Sequence, residues 1–96
     1  MSEVAENPVV LFDRVKEYVG NAIHDVRMGC QKTEKEVYDD IRNRGFTHLV
    51  GQLPLIESGT FHLFFEEFEA LCRALSMPID VVLERAAIIK CENGKA

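Results

Sequence analysis

Histidine and carboxylate side chains at helical spacing are the first candidates for chemistry in this chain. His62 and Glu66 are four residues apart, so on a helix they would share one face and could both bind a metal ion. Two such ligands without a third are more typical of a surface pair. Asp39 and Asp40 are adjacent, and adjacent helical positions point about 100° apart, so these carboxylates are expected to face solvent separately. We predict no metal site and no paired-carboxylate acid–base site.

The three cysteines offer little support for nucleophilic chemistry. Cys30, Cys72 and Cys91 are far apart and odd in number, which argues against a disulfide framework and fits a reducing cytosol. Cys30 and Cys72 have apolar neighbours and no evident histidine partner, so they are expected to be small core residues. The sequence contains nothing that resembles a nucleophile elbow or a phosphate-binding loop. We therefore predict that the chain is not an enzyme and uses no cofactor.

Length and composition indicate one globular domain. The chain has 96 residues, of which 47% are hydrophobic and 28% are charged. Its longest apolar runs are only a few residues, so no membrane span is predicted. The first residues are acidic and lack a basic lead-in, which is unlike a signal peptide. These features predict a cytoplasmic protein.

The charge balance argues against nucleic-acid binding through a broadly basic surface. The net charge is −5 and the isoelectric point is near 5.1. Proteins that neutralise phosphates usually present a basic face. Basic residues are denser before Gly45, whereas the half of the chain beyond it is rich in acidic residues. The charge balance lowers the expectation of DNA binding but does not exclude it, because the distribution of charge matters more than its sum.

The elements that must position these residues are helical. Apolar residues recur at three- and four-residue steps, and no alternating strand pattern of useful length appears. The sequence predicts an all-α fold, a single five-helix domain at residues 9–91. Short tails are expected at residues 1–8 and 92–96.

The first three helices are predicted from periodicity and from local stop and start signals. Helix one covers residues 9–28, and helix two covers residues 34–43 after a capping box formed by Thr33 and Glu36. A third apolar stretch covers residues 46–56 and contains Pro54. A proline inside a helix costs about 3 kcal/mol or more, so helix three is predicted to be kinked or divided into two short pieces.

The last two helices are predicted from strongly apolar stretches. Residues 61–75, which are rich in phenylalanine, predict helix four. Ser76 is expected to cap helix five, with Pro78 in its first turn. Apolar residues from Ile79 to Ile89 complete this last helix.

Several short motifs follow one another in a characteristic order along the predicted helices. They are, in chain order, Arg27, the cap Thr33, the pair Val37-Tyr38, Glu57-x-Gly59, Leu71, Leu75, Pro78 and Asp80. In this order they resemble the lambda-repressor-like family of XRE-type helix-turn-helix domains, over roughly residues 23–83. The resemblance implies a small transcription regulator that acts as a homodimer on operator DNA.

The region that should read DNA departs from the family pattern. About five extra residues separate Val37-Tyr38 from Glu57, which enlarges the helix 2–helix 3 region. Counting back from Glu57, the recognition helix corresponds to residues 49–56, where only Gln52 could hydrogen-bond to a base edge. In an alternative phasing the helix starts at Thr47 and presents a different set of side chains. The expected DNA contacts are then Thr47, His48 and Gln52, flanked by the phosphate contacts Arg42 and Arg44.

Four phenylalanines in eight positions exceed what one helix face can bury. On a helix, Phe61, Phe65 and Phe68 share one stripe, Phe64 lies near its edge and Leu63 points away. Excess apolar surface on a small domain usually marks a partner interface. With the apolar end of helix five, the sequence predicts a homodimer interface formed by Phe61, Phe64, Phe65, Phe68, Ile88 and Ile89.

Three roles are consistent with these patterns. The first is the operator-binding homodimer implied by the resemblance. The second is a helix-turn-helix-derived regulator that binds another regulatory protein, as an anti-activator, antirepressor or antitoxin does, and does not itself bind DNA. It would use the apolar residues 49–56 and an acidic face formed by Glu57, Glu66, Glu67 and Glu69. The third is a structural subunit of a larger assembly.

Overall fold

The helical periodicity is realised as five α-helices in a computed structural model that describes residues 7–93. They are α1 (Pro8–Gly29), α2 (Glu34–Asn43), α3 (Leu53–Glu57), α4 (Phe65–Ala74) and α5 (Ile79–Asn93). A 3-10 turn, Thr47–Leu49, lies between α2 and α3. Residues 7–93 contain no strand, which confirms the all-α, five-helix prediction. Across the same residues, no helix combines the length and apolar character needed to cross a membrane.

The long helices α1 and α5 pack against each other and form the base of the core. Asn7 caps α1 by accepting a hydrogen bond from the Val9 amide at 2.8 Å, and Pro8 follows at a position where no amide is needed. Salt bridges join Asp25 to Arg85 and Glu17 to Lys90, so the two helices run antiparallel. Their facing sides are apolar and buried, and comprise Phe12, Val15, Val19, Ala22, Ile23, Val82, Leu83, Ala86 and Ile89.

The ends of the chain differ slightly from the predicted tails. Helix α1 begins at Pro8, and α5 continues through Asn93, so Glu92 and Asn93 are helical. The side-chain amide of Asn93 donates to the Ile89 backbone carbonyl at 3.0 Å, so it satisfies one of the carbonyls that the end of the helix leaves without an intrahelical donor. Most of both predicted tails, residues 1–6 and 94–96, lies outside the described residues.

Helix α2 begins with the predicted capping box. The Glu36 amide donates to the Thr33 hydroxyl at 3.1 Å, and the Thr33 amide donates to the Glu36 carboxylate at 2.8 Å. The hydrogen bond from the Thr33 backbone lowers the pKa of Glu36. A carboxylate with a lowered pKa contributes its stabilisation at neutral pH and loses it as the pH falls below the ordinary glutamate range.

Replacing Thr33 with alanine should lower the free energy of unfolding by about 1 kcal/mol, because one amide of the first turn loses its acceptor. Urea denaturation followed by circular dichroism would measure the loss. The matched control is Thr47→Ala, since Thr47 is exposed and begins a turn that has no side-chain cap. Equal losses in the two variants would show that the Thr33 cap contributes nothing specific.

The third apolar stretch is divided into two pieces, which confirms one of the two predicted arrangements. The 3-10 turn is followed by Gly51, whose φ of 85° is a conformation that favours glycine, and then by α3. Pro54 is the second residue of α3, where its missing amide breaks no helical hydrogen bond. The proline therefore begins the second piece instead of kinking a continuous helix.

Helix α4 begins four residues later than predicted. The Glu67 carboxylate accepts a hydrogen bond from the Phe64 amide at 2.8 Å, and Phe64 has extended backbone angles, so the first helical residue is Phe65. His62 thus lies outside the helix and does not share a helical face with Glu66. Leu63, predicted to point away from the core, is buried in it.

The link between α4 and α5 also corrects a prediction. Ser76 is not the cap of α5. It lies two residues after the last residue of α4 and has a positive φ of 57°, a conformation typical of the turn that ends a helix. After it, the Met77 amide donates to the Cys72 carbonyl at 3.0 Å. Pro78 immediately precedes α5, and its carbonyl accepts from the Val81 amide at 3.2 Å. Helix α5 therefore starts without a serine cap.

Candidate functional site

The predicted DNA contacts lie together on the connection between α2 and α3. Arg42 is in the last turn of α2 and Arg44 directly follows the helix. Thr47 and His48 belong to the 3-10 turn, and Gln52 immediately precedes α3. Gln52 is half-buried, whereas the other four are exposed. The five residues thus lie along one short stretch of the chain. The polar groups of Arg42, Arg44 and His48 already have carboxylate partners.

Carboxylates of α2 pair with both arginines. Asp39 accepts from the Lys35 ammonium at 3.0 Å and from the Arg42 guanidinium at 3.3 Å, and Arg44 donates to Asp40. Lys35 first, and then Arg42, lower the pKa of Asp39, so this carboxylate is charged at neutral pH. Residues 32–44 carry four basic and four acidic side chains. This segment therefore has no net positive charge to attract a phosphate backbone.

His48 points toward α4. Its Nε2 lies 2.7 Å from a carboxylate oxygen of Glu67, the residue that also caps α4. The imidazole ring lies 5.9 Å from the ring of Phe46, measured between centroids. The contact with Glu67 occupies Nε2, which leaves only the other ring nitrogen for a base edge. The contact also joins the 3-10 turn to α4.

Helix α3 is attached to its neighbours at both ends, although it is only five residues long. At its start, the Leu53 amide donates to the Tyr38 hydroxyl at 3.0 Å. At its end, the side-chain amide of Asn21 donates to the Glu57 backbone carbonyl at 3.0 Å. Gly20 lets α1 approach so closely that an added Cβ atom would lie 1.7 Å from the Ile56 carbonyl oxygen. Neighbouring helices thus set the position of α3.

A buried ion pair between Arg27 and Glu57 completes this attachment. Arg27 donates from Nε and Nη2 to the two carboxylate oxygens of Glu57, at 2.6 and 2.9 Å. Its Nη1 donates to the Lys32 carbonyl at 3.0 Å. The two side chains are only 11% and 8% exposed. The hydrogen bond to Glu57 is the main cause of the raised pKa of Arg27. One guanidinium thus joins the end of α1, the α1–α2 loop and the end of α3.

The outward side of α3 is apolar. Leu53 and Ile56 are buried in the core, whereas Pro54 is exposed and Leu55 is 52% exposed. The Leu55 carbonyl accepts from the Ser58 hydroxyl at 2.9 Å and the Thr60 amide at 3.1 Å, so the following loop folds back over the end of α3. No lysine or arginine occurs at residues 45–72. Helix α3, which corresponds to the predicted recognition helix, therefore exposes apolar side chains to solvent.

The predicted phenylalanine interface is mostly committed to the core. Phe68 is fully buried, and Ile89 at the end of α5 is also buried, so neither is free to contact a partner. Phe61 and Phe65 are half-buried against the same core. Phe12 of α1 explains this burial, because its ring packs against Phe65 and Phe68 at 5.5 and 5.2 Å between centroids.

Two of the predicted interface residues remain available. Phe64 is 72% exposed and Ile88 is 43% exposed. Phe64 directly precedes α4, and it joins Pro54 and Leu55 as the exposed apolar residues of the segment from α3 to α4. We call Pro54 and Leu55 the α3 surface; Phe64 is a further exposed apolar residue, at the start of α4. Ile88 lies on α5, away from that segment, and has different neighbours.

The predicted acidic face is divided between internal and external roles. Glu57 is paired with Arg27, and Glu67 is buried while it caps α4 and contacts His48. Glu66 remains exposed, and Glu69 is half-buried with Arg73 3.3 Å away. Two of the four carboxylates are therefore unavailable to a partner, because they stabilise the fold.

Cysteines and grooves add no reactive centre among the described residues. The three cysteines are free thiols, and burial raises the pKa of Cys72 to about 12, so it stays protonated and unreactive. A groove of about 520 Å³ lies between α1 and α5, with Met28, Val81 and Ile88 in its wall. A second groove of about 440 Å³ separates α1 from residues 59–63.

Three residues that position α3 were not predicted to do so. They are Gly20 in the middle of α1, its neighbour Asn21, and Tyr38 of α2. A glycine on the apolar side of a long helix is a usable signal, because it marks a close approach by another element. The ion pairs on α2 also had a signal, since Asp39 precedes Arg42 by three residues and Asp40 precedes Arg44 by four.

Comparisons with protein-family models, with curated proteins and with solved structures found no match for this chain.

Proposed function

We propose that this protein is a small regulator that acts by binding another protein through the α3 surface, and not by reading operator DNA. The observation that carries the proposal is the character of α3, whose outward residues Pro54 and Leu55 are apolar where base-reading side chains would be needed. The paired state of Arg42 and Arg44 supports it, because each arginine already has a carboxylate partner.

The partner should present an apolar pocket with basic residues around it. Leu55 and Phe64 are large, apolar and exposed, and burying such a side chain in a pocket contributes about 1.5–3 kcal/mol. The segment at residues 45–72 contains four glutamates and no lysine or arginine, and Glu66 is exposed within it. Opposite charge on the partner would speed association and exclude surfaces of the same sign. The three free cysteines support a cytoplasmic location for this encounter.

Replacing Leu55 with glutamate should abolish partner binding while leaving the fold intact, because half of this side chain is exposed. The experiment is affinity purification from the source cells with tagged wild-type and variant chains, followed by mass spectrometry. Val9→Glu is the matched control, since Val9 is exposed to a similar extent and lies in the first turn of α1. A protein retained by wild type and by Val9→Glu, and lost with Leu55→Glu, is the expected result. Equal retention by all three would contradict the proposal.

Operator binding by a homodimer is the second candidate, and one observation favours it. Arg27 and Glu57, two positions that carry the resemblance to helix-turn-helix domains, form a buried pair that holds α3 against α1. Exposed Arg42, Arg44 and Thr47 lie close to this helix in the chain. On this candidate, replacing both arginines with alanine would weaken binding to duplex DNA of any sequence, because phosphate contacts are lost.

A further inference from the structure

Helix α5 is apolar on two sides, and only one of them is covered. Its inner side is formed by Val82, Leu83, Ala86 and Ile89, all of which are buried in the core. On its outer side Val81 is 42% exposed, and Ile88, one helical heptad further on, is exposed to a similar extent. A helix with apolar residues on both sides is usually covered on both. Nothing among residues 7–93 covers the outer side.

The outer side of α5 has a self-complementary order of residues. Val81, Glu84, Arg85 and Ile88 follow at steps of three, one and three, so they form one stripe on the helix, which we call the α5 stripe. The order is apolar, acidic, basic, apolar. If a second α5 ran antiparallel across a twofold axis between residues 84 and 85, Val81 would face Ile88 and Glu84 would face Arg85. Each contact would then occur twice, as twofold symmetry requires.

We propose that a second copy of this chain docks on the α5 stripe in this antiparallel arrangement. The groove of about 520 Å³ beside the stripe offers the space, because it lies between α1 and α5 and Met28 provides an exposed apolar side chain in its wall. This inference does not depend on the proposed function, since the α3 surface lies on other elements. The α5 stripe differs from the interface predicted from the sequence. Of the six residues in that predicted interface, only Ile88 belongs to the stripe.

The charges of the stripe support a second copy as the occupant. Arg85 is held by Asp25 of the same chain, at 2.8 and 2.9 Å. Glu84 is exposed and has no ion-pair partner among the described residues. In the twofold arrangement, Glu84 of one copy would contact Arg85 of the second copy. That Arg85 is already paired with Asp25 of its own chain, so the three side chains would form one charge cluster. The cluster orients the helices, because a parallel arrangement would bring like charges together.

The contact would be modest in size. Stable interfaces bury about 1,200–2,000 Å² in total, and a contact made by one helix and the end of another lies at or below the lower limit. We therefore expect a dimer with a dissociation constant on the order of micromolar.

Sedimentation velocity of the full chain over roughly 5 to 200 µM should show a monomer–dimer equilibrium. Replacing Ile88 with lysine should shift the chain to monomer across this range, and the far-ultraviolet circular dichroism spectrum should be unchanged because Ile88 is exposed. Leu55→Lys, on the α3 surface, should dimerise as wild type does. A wild-type chain that is monomeric at the highest concentration would overturn the proposal, as would a dimer that survives Ile88→Lys.

Charge exchange tests the antiparallel register itself. Glu84→Arg places two arginines opposite two arginines, and Arg85→Glu places two glutamates opposite two glutamates, so each variant alone should be monomeric. An equal mixture of the two should form a heterodimer, in which every arginine faces a glutamate. The controls Glu66→Arg and Lys35→Glu make the same charge changes on other helices and should leave dimerisation at the wild-type level. Failure of the mixture to dimerise while the fold is intact would overturn the register.

Discussion

Replacing Arg27 with methionine should lower the free energy of unfolding by about 3–5 kcal/mol, because Glu57 would remain buried without its cation. The variant also loses the hydrogen bond to the Lys32 carbonyl, so the α1–α2 loop and the end of α3 are both released. Urea denaturation is the appropriate measurement, since a charged denaturant would screen the pair. We expect the loss to exceed that of any single surface ion pair in this chain.

Arg42→Met is the matched control for this prediction. Arg42 pairs with Asp39 on the solvent-exposed side of α2, where an ion pair contributes at most about 1 kcal/mol. The double variant Arg27→Met with Glu57→Met should lose less than the sum of its two single variants, because no unpaired charge is left buried. Equal effects of Arg27→Met and Arg42→Met would contradict a structural role for the Arg27–Glu57 pair.

The pH dependence of this pair follows from the raised pKa of Arg27. A basic group whose folded-state pKa is raised contributes its stabilisation fully below its unfolded-state pKa, and loses it as the pH rises through the folded-state value. For an arginine, this loss of stabilisation occurs only in strongly alkaline solution. Titration of Arg27 should therefore leave the stability of the chain unchanged between neutral pH and the onset of strongly alkaline conditions.

Replacing Gly20 with alanine should lower the free energy of unfolding by about 2–3 kcal/mol, although alanine is the better helix former by about 1 kcal/mol. The added Cβ atom would lie 1.7 Å from the Ile56 carbonyl oxygen and 2.9 Å from its carbon. These are backbone atoms and cannot rotate away, so α1 and α3 would have to separate. Urea denaturation would measure the loss.

Gly29→Ala is the control, because it makes the same substitution near the end of the same helix. Nothing lies within 4 Å of a Cβ atom built at Gly29, so this variant should be neutral or stabilised by up to about 1 kcal/mol. The two substitutions should thus have opposite signs. A stabilised Gly20→Ala variant would show that α1 and α3 are not in the close contact described here.

The sequence predicted those helices whose apolar stripes are long or whose ends carry local signals. Helix α2 begins where Thr33 and Glu36 can cap each other, and helix α1 carries an apolar stripe over most of its length. The division near Pro54 followed from the chemistry of proline alone. These features depend on residues at most four positions apart, which a single sequence displays directly.

Features that depend on distant residues could not be predicted in the same way. The start of α4 is an exception, because its signal is local but conflicts with a stronger one: the Glu67 carboxylate accepts from the Phe64 amide three residues earlier, whereas the apolar stripe favours an earlier start. The burial of Phe68 depends on Phe12, which is more than fifty residues away in the chain. Arg27 and Glu57 both belong to the ordered motifs of the sequence, but their contact across thirty residues is a property of the folded state.

Fluorescence anisotropy of a labelled DNA duplex tests the central claim, that the α3 surface recognises protein instead of DNA. The chain would be titrated against its own upstream DNA and against a scrambled duplex, at about 50 mM and about 200 mM salt. We predict no saturable binding to either duplex, even at the lower salt concentration. Tight binding to the upstream DNA that weakens steeply with salt, and weakens further when Arg42 and Arg44 are replaced with alanine, would contradict the account.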